Sequence, residues 1–155
     1  MSPSAHIVIR TLTAADVDLM HALLTTFAEA FEEPATYNDA RPGSDYLERL
    51  LASNHFIALA ATKGEHVVGG LVAYELQKFE RERSEIYIYD LAVAAPHRRE
   101  GIATALILEL KRIGALRGAY VVFVQADLGD VPAISLYSRL GTREDVLHFD
   151  IPTSG

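Results

Sequence analysis

The sequence predicts one α/β domain over residues 1–155, an α/β sandwich in which helices flank a mixed, mostly antiparallel sheet. Apolar runs of strand length alternate with segments of helical spacing, in the order β-α-α-β-β-β-α-β-α-β. Three consecutive strands are joined by short turns, which is typical of an antiparallel meander. The next strand is reached through a helix, which indicates one parallel crossover.

The composition is that of a globular protein, with 50% hydrophobic and 23% charged residues. The formal charge of −7 disfavours general binding to nucleic acid or anionic membranes and favours cationic partners. The chain has no cysteine, which excludes disulfides and thiolate chemistry, and its six histidines show no paired metal-ligand spacing. Without a membrane-length apolar run or a recognisable signal peptide, we expect a soluble cytoplasmic protein that needs no metal.

The first third of the chain predicts one strand and two helices. Residues 6–10 (HIVIR) form the strand, and Thr13 with Asp16 resembles a capping box that starts a helix. Pro42-Gly43 marks a turn before the second helix. The remaining predicted elements are strands at 55–63, 66–79 and 84–94, a helix from 101 to about 117, a strand at 119–126 covered on both faces, a helix at about 131–140 and a last strand near 145–151.

The segment that joins the 84–94 strand to the next helix has the chemistry of a phosphate site. Free N–H groups at a helix start attract an anion, a glycine lets the ligand approach the backbone, and arginines add charge. An ordinary capped helix with solvated arginines explains the same pattern. No G-x-x-x-x-G-K-[ST] or G-x-G-x-x-G motif is present, which leaves nucleotide triphosphatase and dinucleotide functions unsupported. The segment reads Arg98-Arg99-Glu100-Gly101-Ile102-Ala103-Thr104.

Asp90 interrupts the apolar strand that precedes this segment. A carboxylate inside such a strand is costly to bury and needs a partner. An internal salt bridge, exposure on the polar side of the strand, and a functional role all remain open. Tyr87 and Tyr89, which alternate with isoleucines, are interpreted as sheet packing, with the lining of a cleft as the alternative.

Two motifs together resemble a known family. The pattern Arg98-x-x-Gly101-x-Ala103 after Asp90-Leu91-Ala92-Val93 resembles the acetyl-CoA signature of the Gcn5-related N-acetyltransferases (GNATs), and Ala133-x-x-Leu136-Tyr137-x-x-Leu140-Gly141 resembles their second signature. From about residue 7 the chain also resembles the aminoglycoside 3-N-acetyltransferases of the gentamicin-modifying type. The segments that carry this likeness are SEIYIYDLAV, HRREGIATALI, VQADLGDVPAISLY and LHFDI.

The resemblance implies a GNAT-like acyl-CoA N-acyltransferase fold and an activity. Acetyl-CoA would donate its acetyl group to the 3-amino group of an aminoglycoside, by direct attack of the deprotonated amine in a ternary complex. Asp90 would be the base, acting directly or through water, or the carboxylate that anchors the amine, and Tyr137 would protonate the thiolate. The family also implies that backbone amides of Leu91, Ala92 and Val93 bind pantetheine and the thioester carbonyl, and that residues 98–104 bind the pyrophosphate of CoA.

Acidic residues mark the remaining candidates. The family pattern often has Asn at the position of Asp130, which puts the usual contact to pantetheine in doubt and adds negative charge. Glu85, Asp127 and Asp150, with Asp90, are candidates for binding ammonium groups of a polycationic sugar, and each taken alone also fits a solvated acid. By analogy we expect a homodimer.

Two other functions remain open at the level of sequence. The chain could acetylate a different cationic amine, such as a polyamine or a protein amino group. It could also be a non-catalytic acyl-CoA-binding module that uses the phosphate turn alone. The presence of both Asp90 and Tyr137 argues against the binding module, since binding alone needs neither side chain.

Overall fold

A five-stranded mixed sheet with strand order β1-β2-β3-β4-β5 organises the chain in the computed structural model, which describes residues 6–155. The strands β1 to β4 pair antiparallel, and β5 runs parallel to β4. The predicted mixed, mostly antiparallel sheet is therefore confirmed. The elements are β1 (Ile7–Thr11), α1 (Val17–Ala30), α2 (Ser44–Ala52), β2 (Phe56–Lys63), β3 (His66–Gln77), β4 (Ser84–Val93), α3 (Ile102–Leu116), β5 (Ala119–Val124) and α4 (Val131–Leu140).

The described residues form two compact units, one that ends at Gln125 and one that spans Ala126–Gly155. The first unit holds the sheet with α1, α2 and α3. The second holds α4 and the extended C-terminal segment. No described helix has both the length and the apolar character needed to cross a bilayer.

Two adjacent glycines of β3 show that α1 and α3 cover opposite faces of the sheet. A Cβ on Gly70 would lie 2.2 Å from Leu23 Cδ1 of α1, and one on Gly69 would lie 3.4 Å from Ile102 Cγ2 of α3. Because neighbouring strand residues point to opposite faces, the two helices pack on opposite sides. The missing side chains let both helices approach the backbone closely. Larger side chains here would push the helices apart.

Local signals placed the helix starts correctly. Thr13 and Asp16 form the predicted capping box, in which Thr13 N–H donates to Asp16 Oδ2 at 2.8 Å and Ala15 N–H donates to Thr13 Oγ1 at 3.2 Å. The box opens a short 3₁₀ turn that leads into α1. A π-helical turn at Ala35–Asp39, between α1 and α2, was not predicted.

Two predictions about the end of the chain are wrong. The strand β5 is not covered on both faces, since the exposed fractions of Tyr120 and Val121 are 50% and 39%. Among the described residues β5 pairs only with β4, so its outer edge has no strand partner there. Residues 145–151 form no strand either. Their alternating pattern gives β propensity, but a strand also needs a ladder partner, and none of residues 6–155 supplies one.

Candidate active site

A β-bulge in β4 sets the position of Asp90. Val72 pairs with Asp90 and Ala73 pairs with Ile88, which leaves Tyr89 as an extra residue. Before the bulge Ile88 and its even-numbered neighbours face α3, whereas after it Ala92 joins the core cluster built on α1 and α2. The extra residue thus changes which side chains face α1. Asp90 consequently lies on the same side as the α1–α2 connection.

The Asp90 carboxylate is half-buried and has one neutral donor. The Tyr37 hydroxyl donates to Asp90 Oδ2 at 3.0 Å. Burial raises the pKa of Asp90, and the nearby charge of Glu33 adds to this, while the hydrogen bond from Tyr37 lowers it in part. No cationic side chain among residues 6–155 forms a salt bridge with Asp90. The internal salt bridge considered at the level of sequence is therefore absent from this part of the chain.

Tyr37 was not predicted as a site residue, and the α1–α2 connection holds it in place. Its ring lies 6.0 Å from the Phe27 ring and 5.8 Å from the Phe31 ring, and Arg41 Nε donates to its carbonyl at 3.3 Å. Burial and the adjacent Asp90 raise the pKa of Tyr37, so the phenol stays protonated and remains a donor. Tyr37 and Asp90 are 53 residues apart. In the sequence, the one sign of an ordered segment is an aromatic residue, Tyr37, shortly before the turn at Pro42-Gly43.

The end of β4 has a free backbone edge. The pairing of β4 with β5 runs from Ser84 opposite Ala119 to Ile88 opposite Val124 and goes no further among the described residues. The predicted donor-binding residues Leu91, Ala92 and Val93 still pair with β3 on their other side. Because β5 ends as a strand at Val124, the β5 side of residues 91–93 has no strand partner among the described residues, and the backbone N–H groups that point to that side are available to a ligand.

The turn before α3 has the geometry of an anion site. Gly101 is the N-cap of α3 with φ of +80°, and Arg99 also has positive φ. Ala105 N–H donates to the Gly101 carbonyl at 3.0 Å, so Ile102, Ala103 and Thr104 precede the first helical hydrogen bond with their N–H groups free. A Cβ on Gly101 would meet no atom within 4 Å, so the space in front of the turn is open. The residues present fit a phosphate.

The charged side chains of the turn before α3 differ in their contacts. Arg98 Nε donates to the Val93 carbonyl at 3.1 Å and ties the turn to the end of β4. Arg99 forms no salt bridge with any described residue, whereas Glu100 lies 3.6 Å from His97 Nδ1. Arg99 is therefore the arginine whose guanidinium the described structure leaves available to an anion.

The other predicted carboxylates are divided between the two units. In the first unit, Glu85 accepts from the Tyr120 hydroxyl at 3.2 Å and lies 3.7 Å from Lys78 Nζ. In the second unit, Asp130 caps α4 by accepting from Ala133 N–H at 3.2 Å. Asp150 is exposed and lies 2.9 Å from His148 Nε2, and Asp127 is exposed. The structure therefore explains Asp130 as a cap, a role that Asn fills equally well.

Tyr137 lies on α4 in the second unit and is half-buried. Burial, with a smaller contribution from the charge of Asp130, raises the pKa of Tyr137 to about 12. A phenol with this pKa is fully protonated near neutral pH and can serve as a proton donor.

Comparisons with known proteins bear on the fold and the site. A family model described as the Acetyltransferase (GNAT) family matches residues 18–142. The chain is similar to the crystal structure of an aminoglycoside acetyltransferase, HMB0005, from an uncultured soil metagenomic sample. That match has 61% identity, covers 96% of this chain and 99% of the other, and has a TM-score of 0.95.

Two further matches are more distant. The aminoglycoside acetyltransferase meta-AAC0020, also from an uncultured soil metagenomic sample and solved in complex with sisomicin, has 32% identity over 96% of this chain and 97% of the other, with a TM-score of 0.89. N-acetyltransferase 8B of Rattus norvegicus is 28% identical over 89 residues, which is 57% of this chain and 40% of the rat protein. The chain therefore matches less than half the length of this curated relative.

The family match covers the strand, the bulge, the anion-binding turn and α4 in one continuous span. Acetyl-CoA is the acetyl donor in this family, which agrees with a turn built for phosphate and with the free backbone edge that precedes it. By this match and by the sheet topology, the chain belongs to the GNAT family of acetyltransferases.

Proposed function

We propose that this acetyltransferase moves the acetyl group of acetyl-CoA to the 3-amino group of an aminoglycoside of the gentamicin type and thereby confers resistance. The observation that carries the proposal is the 61% identity to an aminoglycoside acetyltransferase over nearly the full length of both chains. The net charge of −7 favours a polycationic acceptor and supports it. The choice of the 3-amino group rests on the segments quoted above that resemble the 3-N-acetyltransferases.

In the proposed mechanism Asp90 prepares the acceptor. An aminoglycoside amine is protonated near neutral pH and must lose a proton before it can attack. Asp90, which has no cationic partner among the described residues, takes that proton directly or through water. Its other carboxylate oxygen stays on the Tyr37 hydroxyl, which fixes the orientation of the group.

The free amine then attacks the thioester carbonyl in a ternary complex, forming the N–C bond as the C–S bond breaks. We propose that the free backbone edge at residues 91–93 donates to the carbonyl oxygen as negative charge develops there. The nitrogen loses its second proton to water, the departing sulfur gains one, and water returns a proton to the group that supplied it. Tyr137, held in its protonated form, is the proposed source of the proton for sulfur.

The turn at residues 98–104 is the proposed site for the pyrophosphate of CoA. The free N–H groups of Ile102, Ala103 and Thr104 and the dipole of α3 provide the attraction, and Arg99 adds charge. Arg98 holds the turn against β4. Asp130 is proposed to act near pantetheine only through its cap on α4.

The release of free CoA tests the function directly. The purified protein is incubated with acetyl-CoA and, in parallel reactions, with gentamicin, a polyamine or a lysine peptide. Turnover with gentamicin, and a product whose NMR spectrum shows an acetamide at the 3-position, is the expected result. Turnover with the polyamine or the peptide alone would instead assign a different cationic amine as acceptor. Turnover with none of the three would favour a binding module.

We also propose that residues 1–155 act as one catalytic domain and that the protein is a homodimer. The relative of 61% identity has nearly the same length as this chain, which supports a single domain. The open edge of β5 supports association between subunits, because an unpaired edge strand favours contacts with another chain. The mass in solution by light scattering checks the assembly, and a monomeric mass would contradict it.

A further inference from the structure

Five aromatic rings form a continuous row across four adjacent strands of the first unit. Phe56 of β2 contacts Tyr74 of β3, with ring centroids 5.4 Å apart. Tyr74 meets Tyr89 of β4 edge-on at 5.8 Å, and Tyr89 meets Tyr87 edge-on at 6.0 Å. Tyr87 stacks on Phe123 of β5 at 4.8 Å. The row therefore crosses the sheet on the face that α1 and α2 partly cover.

The row is buried at Phe56, most exposed in its middle at Tyr89 and half-buried at its far end. Phe56 is 7% exposed and belongs to the core cluster, whereas Tyr74 is 37% exposed and Tyr89 is 61% exposed. Tyr87 and Phe123 are half-buried. Core packing explains Phe56, but it does not explain why the middle of the row presents aromatic surface to solvent. The bulge at Tyr89 creates this surface, because it inserts one more aromatic side chain beside Asp90.

The charges around the row favour a cation. Asp90 follows Tyr89 directly and has no cationic partner among residues 6–155, and Glu33 is near enough to affect the Asp90 pKa. Glu85, two residues before Tyr87 on β4, already has a cationic partner in Lys78, which it shares with Glu80. Aromatic faces attract ammonium groups and pack well against the C–H faces of sugar rings. The spacing between neighbouring rings is comparable to the width of a six-membered sugar ring.

We propose that the three tyrosines of the row, Tyr74, Tyr89 and Tyr87, form the acceptor subsite, on which the rings of a polycationic amino sugar pack while one amine reaches Asp90. The inference rests on the proposed function and adds the surface that recognises the acceptor. The aromatic faces bind the non-reacting part of the sugar, so they affect acceptor affinity more than chemistry. The row is not expected to contribute to the binding of acetyl-CoA.

Tyr89→Leu is the sharpest test. Tyr89 is exposed, so leucine keeps bulk and apolar character without disturbing the core, and it removes the aromatic face. The KM for gentamicin is expected to rise about threefold to tenfold, with kcat and the KM for acetyl-CoA within about twofold of wild type. Tyr89→Phe keeps the ring and should behave as wild type. Phe79→Leu is the matched control, since Phe79 is a fully exposed aromatic residue outside the row.

A binding titration separates this inference from the proposed function. Tyrosine ring signals are followed by NMR as gentamicin, or the uncharged maltotriose, is added without acetyl-CoA. We expect shifts for Tyr74, Tyr87 and Tyr89 with gentamicin and much weaker shifts with maltotriose. If gentamicin shifts these tyrosine signals but the protein acetylates no amine, the proposed function is wrong and the subsite is still supported. Unchanged gentamicin affinity and an unchanged KM for gentamicin in Tyr89→Leu would overturn the subsite. A change in the solution mass of Tyr89→Leu would also overturn it, because the row would then be a contact between subunits.

Discussion

Two carboxylates on neighbouring strands of the same sheet have opposite surroundings. Glu75 on β3 is 9% exposed, accepts from the Ser84 hydroxyl at 2.7 Å and lies 2.7 Å from Arg117. Asp90 on β4 is half-buried, and its one side-chain partner is the neutral Tyr37 hydroxyl. Glu75 therefore has both a cationic partner and a hydroxyl donor. Asp90 has a hydroxyl donor but no cationic partner among the described residues.

The difference shows how burial alone fails to identify a reactive acid. A buried carboxylate that is paired with an arginine has its charge compensated within the protein. A carboxylate that is desolvated without a cation has its pKa raised and accepts a proton or a cationic ligand more readily. We therefore assign Glu75 to stability and Asp90 to chemistry, and four changes test that division.

Asp90→Asn is expected to have the largest effect. Loss of the base should lower kcat by about 100-fold or more, while acetyl-CoA binding measured by calorimetry stays within about twofold. Because the pKa of Asp90 is raised in the folded protein, the folded form binds this proton more tightly than the unfolded chain does, and the ionised group lowers stability as pH rises through that pKa. Asparagine should therefore leave Tm at neutral pH equal or higher. Normal turnover in this variant would remove Asp90 from the mechanism.

Glu75→Gln should show the reverse pattern. Removing one partner of the Glu75–Arg117 pair leaves a poorly compensated arginine and is expected to cost about 2 kcal/mol of unfolding free energy, which is about 30-fold in the folding equilibrium constant. The value is set below that of a fully buried pair because Arg117 is partly exposed. Denaturant unfolding measures the cost. kcat per folded molecule should stay within about twofold, and a large loss of kcat would break the division between the two acids.

Tyr137→Phe tests the protonation of the leaving thiolate separately from the role of Asp90. Loss of the phenol should lower kcat about tenfold, because the sulfur must then take its proton from water. The acid side of the pH–rate profile should stay where it is, since Asp90 sets it. Steady-state rates between pH 5 and 9 measure both quantities. An unchanged kcat would leave Tyr137 with a packing role on α4.

Among the three variants that are expected to slow the reaction, Tyr37→Phe should have the smallest effect on kcat. Its hydroxyl lowers the Asp90 pKa, so its loss should raise that pKa further and move the acid side of the pH–rate profile to higher pH. At neutral pH kcat should fall only about threefold, because the variant keeps the Asp90 carboxyl group itself and loses only the hydroxyl that orients it. Tyr46→Phe is a matched control, since Tyr46 is an exposed tyrosine on α2 that makes no hydrogen bond to Asp90.

The sequence predicted well what short-range signals determine. The capping box at Thr13, the turn before α3 and the helix α4 all depend on residues within a few positions of one another. The oddity of Asp90 in an apolar strand was also visible. The position of the bulge at Tyr89 was not, because the register between β3 and β4 depends on pairing between strands.

Contacts between distant segments explain most of the rest. Tyr37 reaches Asp90 across 53 residues through a π-helical turn that has no strong pattern of its own. The strand expected at 145–151 had the right alternation but no partner among the described residues. The burial of β5 was overestimated, because an apolar run shows that a strand is hydrophobic but does not show whether one or both of its faces are covered.

The most direct test of the central claim compares two pKa values of the same protein. The Asp90 carboxyl carbon is titrated by NMR in the free protein, and the acid side of kcat/KM, which reports the free enzyme, is measured in parallel. The two pKa values should agree, lie above the ordinary range for aspartate, and move upward together in Tyr37→Phe. A kcat/KM profile that stays in place while the Asp90 pKa moves would contradict the claim that this carboxylate prepares the amine.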